Sequence, residues 1–555
     1  MFRLFSFDPS GSATTGMVGA GPRSMTVPQP AVAARSTSRP AVWGAIGAYA
    51  VMALIVLYPV LAVHVPALGD YLNHLARMHV VADIGRSEAL RGFYQVQWQA
   101  VPYLAMDAAF VVLNQVATIY QAGRLYVAIS VILPVVSVAV LHFVVHRRFS
   151  LVPMTAFLFC YNYLLSWGLL NYLPPLCLAV LLFAGWIGSA GWPRWPRAIL
   201  FSVLALGLYL SHLAAFGAYG LAVGGFELGR AWRAGFRPWR TIAADWLAAA
   251  ALAVPAIVLA LSVHLERPSV GVALTSYGSL NTKLVALLSP VLFSGSPTDL
   301  LAGWFALLVL LAGLGTGRLR LAPSVWPAAL AVGAVAVCMP SWFFGIFLMD
   351  VRLPLLVVLL VIGATSTTPR MERGVAAAVL GGFLVLTAVR SVGIAAELQA
   401  GDAQIAEVRQ VVAAMPRGKR LLLMDTATAG RALPYWATLH IGMVAVIDRD
   451  AFVPNLFTGQ GTVRPAPAMR ASSTPYGPPL SVADLMDGLG RTDDPAGDTG
   501  DGMGGRVYWL GWQGKFDYVL IEHFGSRPAV PPGVLRLVAS SSVADLYRID
   551  QTGTP

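Results

Sequence analysis

Four side chains between Pro66 and Val81, in PALGDYLNHLARMHVV, have types and spacing that suit proton transfer beside an anion. The pattern after Gly69 is helical, and on a helix Asp70, Asn73, His74 and Arg77 recur at intervals of three and four and so share one side. A carboxylate so placed can act as general base, an amide and an imidazole can orient hydrogen bonds, and a guanidinium can hold an anion. The structural alternative is that Asp70 caps the helix it precedes and Arg77 anchors it at an interface. His74 and His79 by themselves read as polar surface residues rather than metal ligands.

Further polar residues interrupt an apolar background. In CYNYLLSWGLLNYLPP, Cys160 to Pro175, Trp167 and Tyr172 suit an interfacial aromatic belt, whereas Asn171 between two apolar helices needs a partner or a water-filled cavity. His212, in LYLSHLAAFG, is costly inside lipid and is expected either to cap a turn or to contact substrate. Lys283, in SLNTKLVALLSP, is the sole lysine of residues 264–298, and its point charge suits a phosphate. Asp350 and Arg352, in FFGIFLMDVRLP, stand at the start of an apolar run, where mutual pairing is the plain expectation. Cys160, Cys177 and Cys338 lie in apolar runs without metal-ligand spacing, so neither a disulfide framework nor a zinc site is expected.

The elements that position these residues follow from composition. The chain has 555 residues, 57% of them hydrophobic and 12% charged, and its mean hydropathy is +0.67. Soluble proteins carry roughly a quarter charged residues, so a soluble globular enzyme is excluded. The expected fold is an α-helical polytopic membrane protein of about eleven spans with a small C-terminal soluble α/β domain. The spans are Ala41–Val63, then 124–145, 150–168, 172–190, two within 199–229, then 241–263, 299–317, 323–343, 350–368 and 374–396. As one helix, 199–229 would reach roughly 46 Å, too long for a ~30 Å hydrocarbon core, so it is divided at Ser211 and His212.

With the N-terminus inside, every basic cluster between spans falls on the cytoplasmic side. The net charge of +11 is then a topological signal, and no nucleic-acid partner is expected. Residues 101–120 are long enough to span, but a crossing there would export Arg147 and Arg148; a helix lying on the outer surface or re-entering it is expected instead. Residues 1–40 read as a disordered cytoplasmic tail and 41–396 as the membrane domain, with 64–123 as its first exported loop. Residues 397–555 read as an exported α/β domain containing β-rich runs such as RLLLMD and FDYVLIEHF, with a mobile loop from Leu485 to Gly505.

One span, an exported loop opening with an acidic residue, many further spans and an exported C-terminal domain together resemble the GT-C superfamily of integral-membrane glycosyltransferases. Within it, the chain looks most like the bacterial polyprenyl-phosphate-sugar enzymes related to aminoarabinose and mannosyl transferases. The resemblance covers most of residues 41–396 as architecture and is carried in residues by GDYLNHLAR, WGLLNYL, LYLSHLAAFG and MDVRLP. It implies an inverting enzyme of the bacterial inner membrane that moves a sugar from a polyprenyl-phosphate lipid to an envelope acceptor, with Asp70 as general base. Asn73, His74, Asn171, His212 and Asp350 join the substrate site on this reading, and Arg77, Lys283 or Arg352 stabilises the departing phosphate. In this sequence Asp70 is followed by Tyr71 where many relatives carry a second acid, so neither a resident metal nor another cofactor is expected. The basic residue that relatives place at the hairpin turn is a histidine here, His212. Two alternatives stand: a transporter or flippase for lipid-linked glycans, and a membrane scaffold with an exported binding domain.

Overall fold

The computed structural model describes residues 39–262, 275–343, 346–426, 434–458, 462–474, 480–481, 485, 508–530 and 533–550. The tail before Arg39 and the expected 485–505 loop beyond Leu485 lie outside the described residues. Most apolar runs wind into helices. Arg39–Leu61 forms α1, Tyr71–Asp83 α2, Glu88–Phe93 α3, Leu104–Leu113 α4 and Ile119–His146 α5. A capping box starts α5: Thr118 Oγ1 accepts from the Gln121 amide at 3.4 Å, and Gln121 Oε1 accepts from the Thr118 amide at 3.0 Å.

Then follow α6 (Tyr163–Ser166), α7 (Leu173–Gly188), α8 (Arg194–Ser211), α9 (Leu213–Arg233), α10 (Trp239–Ala250) and α11 (Val254–Ser262). The last membrane-domain helices are α12 (Leu280–Leu288), α13 (Pro297–Gly315), α14 (Trp326–Cys338), α15 (Pro354–Ala364) and α16 (Arg373–Ala413). Among the described residues, five stretches are long and apolar enough to cross a bilayer: Trp43–Leu61, α5, Trp239–Ser262, α13 and α16. Leu54, Val203, Leu261, Leu308 and Val392 stand exposed on α1, α8, α11, α13 and α16, as side chains do where the solvent is lipid. With 13 and 11 residues, α14 and α15 are shorter than the ~20 residues of a straight crossing, and so is α4 with 10, whose sequence was expected to lie on the surface or re-enter.

Residues 150–168, expected as one span, are not one α-helix. A 3₁₀ helix, Val152–Phe159, gives way at Cys160, and Asn162 turns its side chain onto the backbone. Its Nδ2 donates to Phe159 O at 3.0 Å and its Oδ1 accepts from Leu165 N at 3.1 Å, which caps α6. The carbonyls of Leu158 and Tyr161 accept hydrogen bonds from Arg390 of α16, whose guanidinium also pairs with Asp299 of α13 at 2.7 Å. Non-helical backbone at this depth is tolerated because buried protein groups satisfy it. Hydropathy alone does not distinguish such a broken segment from a span.

At 41 residues α16 is roughly 60 Å long, twice the ~30 Å apolar thickness of a bilayer, so the 396/397 boundary falls within an unbroken helix. Its far end packs on α17 (Val444–Arg449) and on part of a small sheet. One strand, β1 (Tyr94–Val96), and one short ladder, β2 (Leu319–Leu321) antiparallel to β3 (Thr365–Thr367), precede that sheet in the chain. The sheet itself has β4 (Leu421–Asp425) parallel to β6 (Tyr518–Glu522), followed by β8 (Ala544–Ile549) and β7 (Leu535–Ser540), each antiparallel to its neighbour. β1 pairs antiparallel with β5 (Val463–Pro465), with Tyr94 opposite Pro465 and Val96 opposite Val463. Asp402 of α16 accepts the amides of His64 and Val65 at 2.8 and 3.0 Å. The segment after α1 and the C-terminal region therefore fold as one body, through a β ladder and paired side chains.

Arg390→Met should leave Asp299 buried without its guanidinium partner, at a cost of about 3–5 kcal/mol. The expected readout is a marked fall in unfolding temperature in detergent; an unchanged transition would show that the pair holds nothing together.

Candidate active site

Two glycines bring the start of α2 against the end of α6. Gly168 adopts φ +68°, a left-handed conformation, and a Cβ there would stand 2.6 Å from Tyr71 N and 2.7 Å from Asp70 N. A Cβ on Gly69 would stand 2.7 Å from Trp167 O. The approach lets Gly69 N donate to Ser166 O at 3.0 Å and Asp70 N donate to Trp167 O at 2.8 Å. Asp70 is thus held by its backbone, in the αR region, and its side chain makes no capping hydrogen bond. The carboxylate is one-fifth exposed, and its Oδ1 lies 3.4 Å from Nε2 of His440.

The same face of α2 is buried against the C-terminal region. Asn73 Oδ1 accepts from Phe457 N at 2.8 Å, while its Nδ2 donates to Asn455 O at 2.9 Å and meets His440 Nδ1 at 3.3 Å. His74 packs edge-on against Phe457, and its buried Nδ1 has no hydrogen-bond partner among the described residues. Burial drives the His74 pKa down to about 3, with Asp70 opposing and Arg77 and His440 assisting, so the ring is neutral. Arg77 turns to a buried pair with Asp107 of α4, whose other oxygen accepts from Thr462. Sequence reasoning passed over Asp107, although a lone carboxylate in an apolar run signals a buried partner.

His212 sits between α8 and α9 in extended backbone, and its Nδ1 accepts from the Ala214 amide at 3.1 Å, capping α9. An accepting Nδ1 carries no proton, so the neutral ring holds its proton on Nε2. Nε2 faces Arg352 Nη1 at 3.3 Å, a donor against a donor. An anionic oxygen lodged beside both would satisfy them. The guanidinium is fixed in place: Nε donates to Leu348 O at 3.2 Å, and the group lies 5.3 Å over the Tyr172 ring, whose hydroxyl donates to Arg352 O at 2.8 Å. Tyr103, at a costly φ of +81°, sets its ring edge-on to His212 at 4.7 Å. His74 lies within electrostatic reach of Asp70, His440 and His212.

Among the described residues, no side-chain hydrogen bond or ion pair joins the remaining candidates to this group. Lys283 pairs with Asp350 at 3.0 Å, and Ser341 Oγ donates to the same carboxylate oxygen at 2.6 Å, so Asp350 pairs with Lys283 and not with Arg352. Asn171 has a buried Oδ1 without a hydrogen-bond partner among the described residues. Besides Asp107, His440 and Trp436 were missed from sequence. Trp436 donates from Nε1 to Ser166 Oγ at 2.8 Å and stacks on Trp167 at 5.8 Å and 12°. Nothing local marks either one. Among the described residues no group of three His, Cys, Asp or Glu side chains is arranged to hold a metal ion.

A second tie between α2 and the C-terminal region is ionic. His79 lies 3.0 Å from Asp450 Oδ1 and 3.2 Å from Asp83 Oδ2, with Arg417 on the far side of Asp450 at 3.0 Å and Arg86 on Asp83 at 3.3 Å. Burial works against protonation of His79, but the two carboxylates outweigh it and raise its pKa.

No family model matches the chain, and no curated protein does. Among solved structures, the chain is similar to the crystal structure of ArnT from Cupriavidus metallidurans bound to undecaprenyl phosphate, at 13% sequence identity and a TM-score of 0.48. The similarity extends over 92% of this chain and 98% of that one.

Two outcomes follow from the geometry. Gly168→Ala combines a positive φ with a steric conflict at Asp70 and should cost more than about 1 kcal/mol, lowering the unfolding temperature, whereas Gly85→Ala, which has open space, should not. The stability that the raised His79 contributes is complete below about pH 6.5, its unfolded value, and is lost as pH climbs through the higher folded value. The unfolding temperature in detergent should therefore decline as pH rises above about 6.5, and more shallowly in His79→Gln; parallel slopes would remove His79 as the cause.

Proposed function

We propose that the protein is an integral-membrane glycosyltransferase that takes a sugar from a polyprenyl-phosphate lipid and passes it to an envelope acceptor at the exported face. The observation that carries this reading is an uncapped carboxylate at Asp70 together with the opposed donors of His212 and Arg352, with His74 within electrostatic reach of both Asp70 and His212. The first supplies a base and the second a place for phosphate. Exposed apolar faces on α1, α13 and α16 suit the lipid chain, and the exported assignment follows from reading the basic clusters between spans as cytoplasmic.

In the proposed reaction the acceptor hydroxyl attacks the anomeric carbon as Asp70 takes its proton. The new bond joins the acceptor oxygen to that carbon. The bond from carbon to phosphate oxygen breaks, and its electron pair leaves with the polyprenyl phosphate. Arg352 and the Nε2–H of His212 meet the charge that develops on the phosphate, and their fixed positions mean little reorganisation is needed. A single displacement of this kind inverts the anomeric centre. Asn73 and Arg77 support the reaction by holding α2, while Lys283 and Asp350 brace the segment that carries Arg352.

General-base catalysis is worth about 10²–10⁴ in rate. Asp70→Asn in proteoliposomes should lose a factor in that range in release of polyprenyl phosphate from polyprenyl-phosphate-linked sugars, with its unfolding temperature preserved. Wild-type turnover by this variant would overturn Asp70 as the base.

A further inference from the structure

We propose that His440, from the C-terminal region, is a positioning residue for Asp70, and that Asn73 sets the imidazole in the tautomer this task needs. The inference rests on the glycosyl-transfer reading above and adds a residue to its site. The chain of donors and acceptors starts at the backbone. Asn73 Oδ1 receives the Phe457 amide and Nδ2 donates to Asn455 O, so the orientation of the carboxamide is fixed by two main-chain groups. The Nδ2 that meets His440 Nδ1 at 3.3 Å is then a donor, and Nδ1 must accept. In the neutral imidazole the proton is left on Nε2.

Nε2–H points at Asp70 Oδ1 from 3.4 Å, long for a hydrogen bond but of the kind that tightens when a site is loaded. By holding Oδ1, His440 fixes the rotamer of the carboxylate and leaves Oδ2 for the acceptor proton. The ring is itself held edge-on by Phe457 at 5.2 Å and is buried. Asp70 needs such a hold, because its own helix gives its side chain none.

The test is a double-mutant cycle in proteoliposomes, with release of polyprenyl phosphate read from a panel of polyprenyl-phosphate-linked sugars. His440→Leu should lower kcat about 10- to 100-fold, the usual effect of losing an orienting partner, and leave KM within about twofold. His440→Gln, whose amide keeps a donor, should recover most of the rate. Asp70→Asn with His440→Leu should be no slower than Asp70→Asn alone, since a residue that acts through Asp70 has nothing left to position. Nitrogen-15 NMR of labelled histidine should show the Nε2–H tautomer at His440 and its loss in Asn73→Leu. Losses that multiply, or a ring protonated on Nδ1, would overturn the inference while leaving the glycosyltransferase reading in place. A wild-type protein that releases no polyprenyl phosphate from any of the lipids would overturn both.

Discussion

The carboxamide of Asn73 joins parts of the chain separated by 367 to 384 residues, and much of the site depends on that joint. An amide can serve here because it offers an acceptor and a donor on opposite sides of one rigid plane. Its oxygen takes a main-chain amide of the C-terminal region, and its nitrogen serves a main-chain carbonyl and a histidine. A buried amide with unmet groups is costly, so α2 and residues 455–457 are specified together or not at all. Along the same helix Arg77 reaches Thr462 through Asp107, and His79 reaches Asp450, so α2 is tied to the C-terminal region at successive turns.

Charge at the site is arranged by the same economy. Arg77, Lys283 and Arg390 are each matched by a carboxylate in the folded chain, whereas Arg352 is opposed by the donor side of His212. Matched pairs hold segments in place, and they cost little to leave alone. Two donors that face each other are different: the fold spends hydrogen bonds at Leu348 and Ala214 and a ring at Tyr172 to keep them in place, and an anion would complete them. Tyr103 adds backbone strain at the same spot, which fits a location kept for something other than stability.

Much of this was legible in the sequence. The polar pair within a 31-residue apolar run marked the break between α8 and α9, and His212 stands at it. The three-and-four spacing after Gly69 gave α2 and its face. Pairing was less legible, because residues distant in sequence leave no periodicity: His440 in a segment of mixed composition reads like any other lone histidine, and Asp350 finds Lys283, 67 residues away, instead of its near neighbour Arg352. The broken helix of residues 150–168 escaped for another reason. Hydropathy measures solvent, and a 3₁₀ turn satisfied by Arg390 is as apolar in sequence as an α-helical span.

The most direct measurement is a structure of the protein in lipid nanodiscs with a polyprenyl phosphate bound. Phosphate density within hydrogen-bonding distance of both His212 Nε2 and Arg352, on the side that faces Asp70, is the expected result. Phosphate bound at the opposite end of the helices, or at Lys283 with the His212–Arg352 contact unchanged, would contradict it.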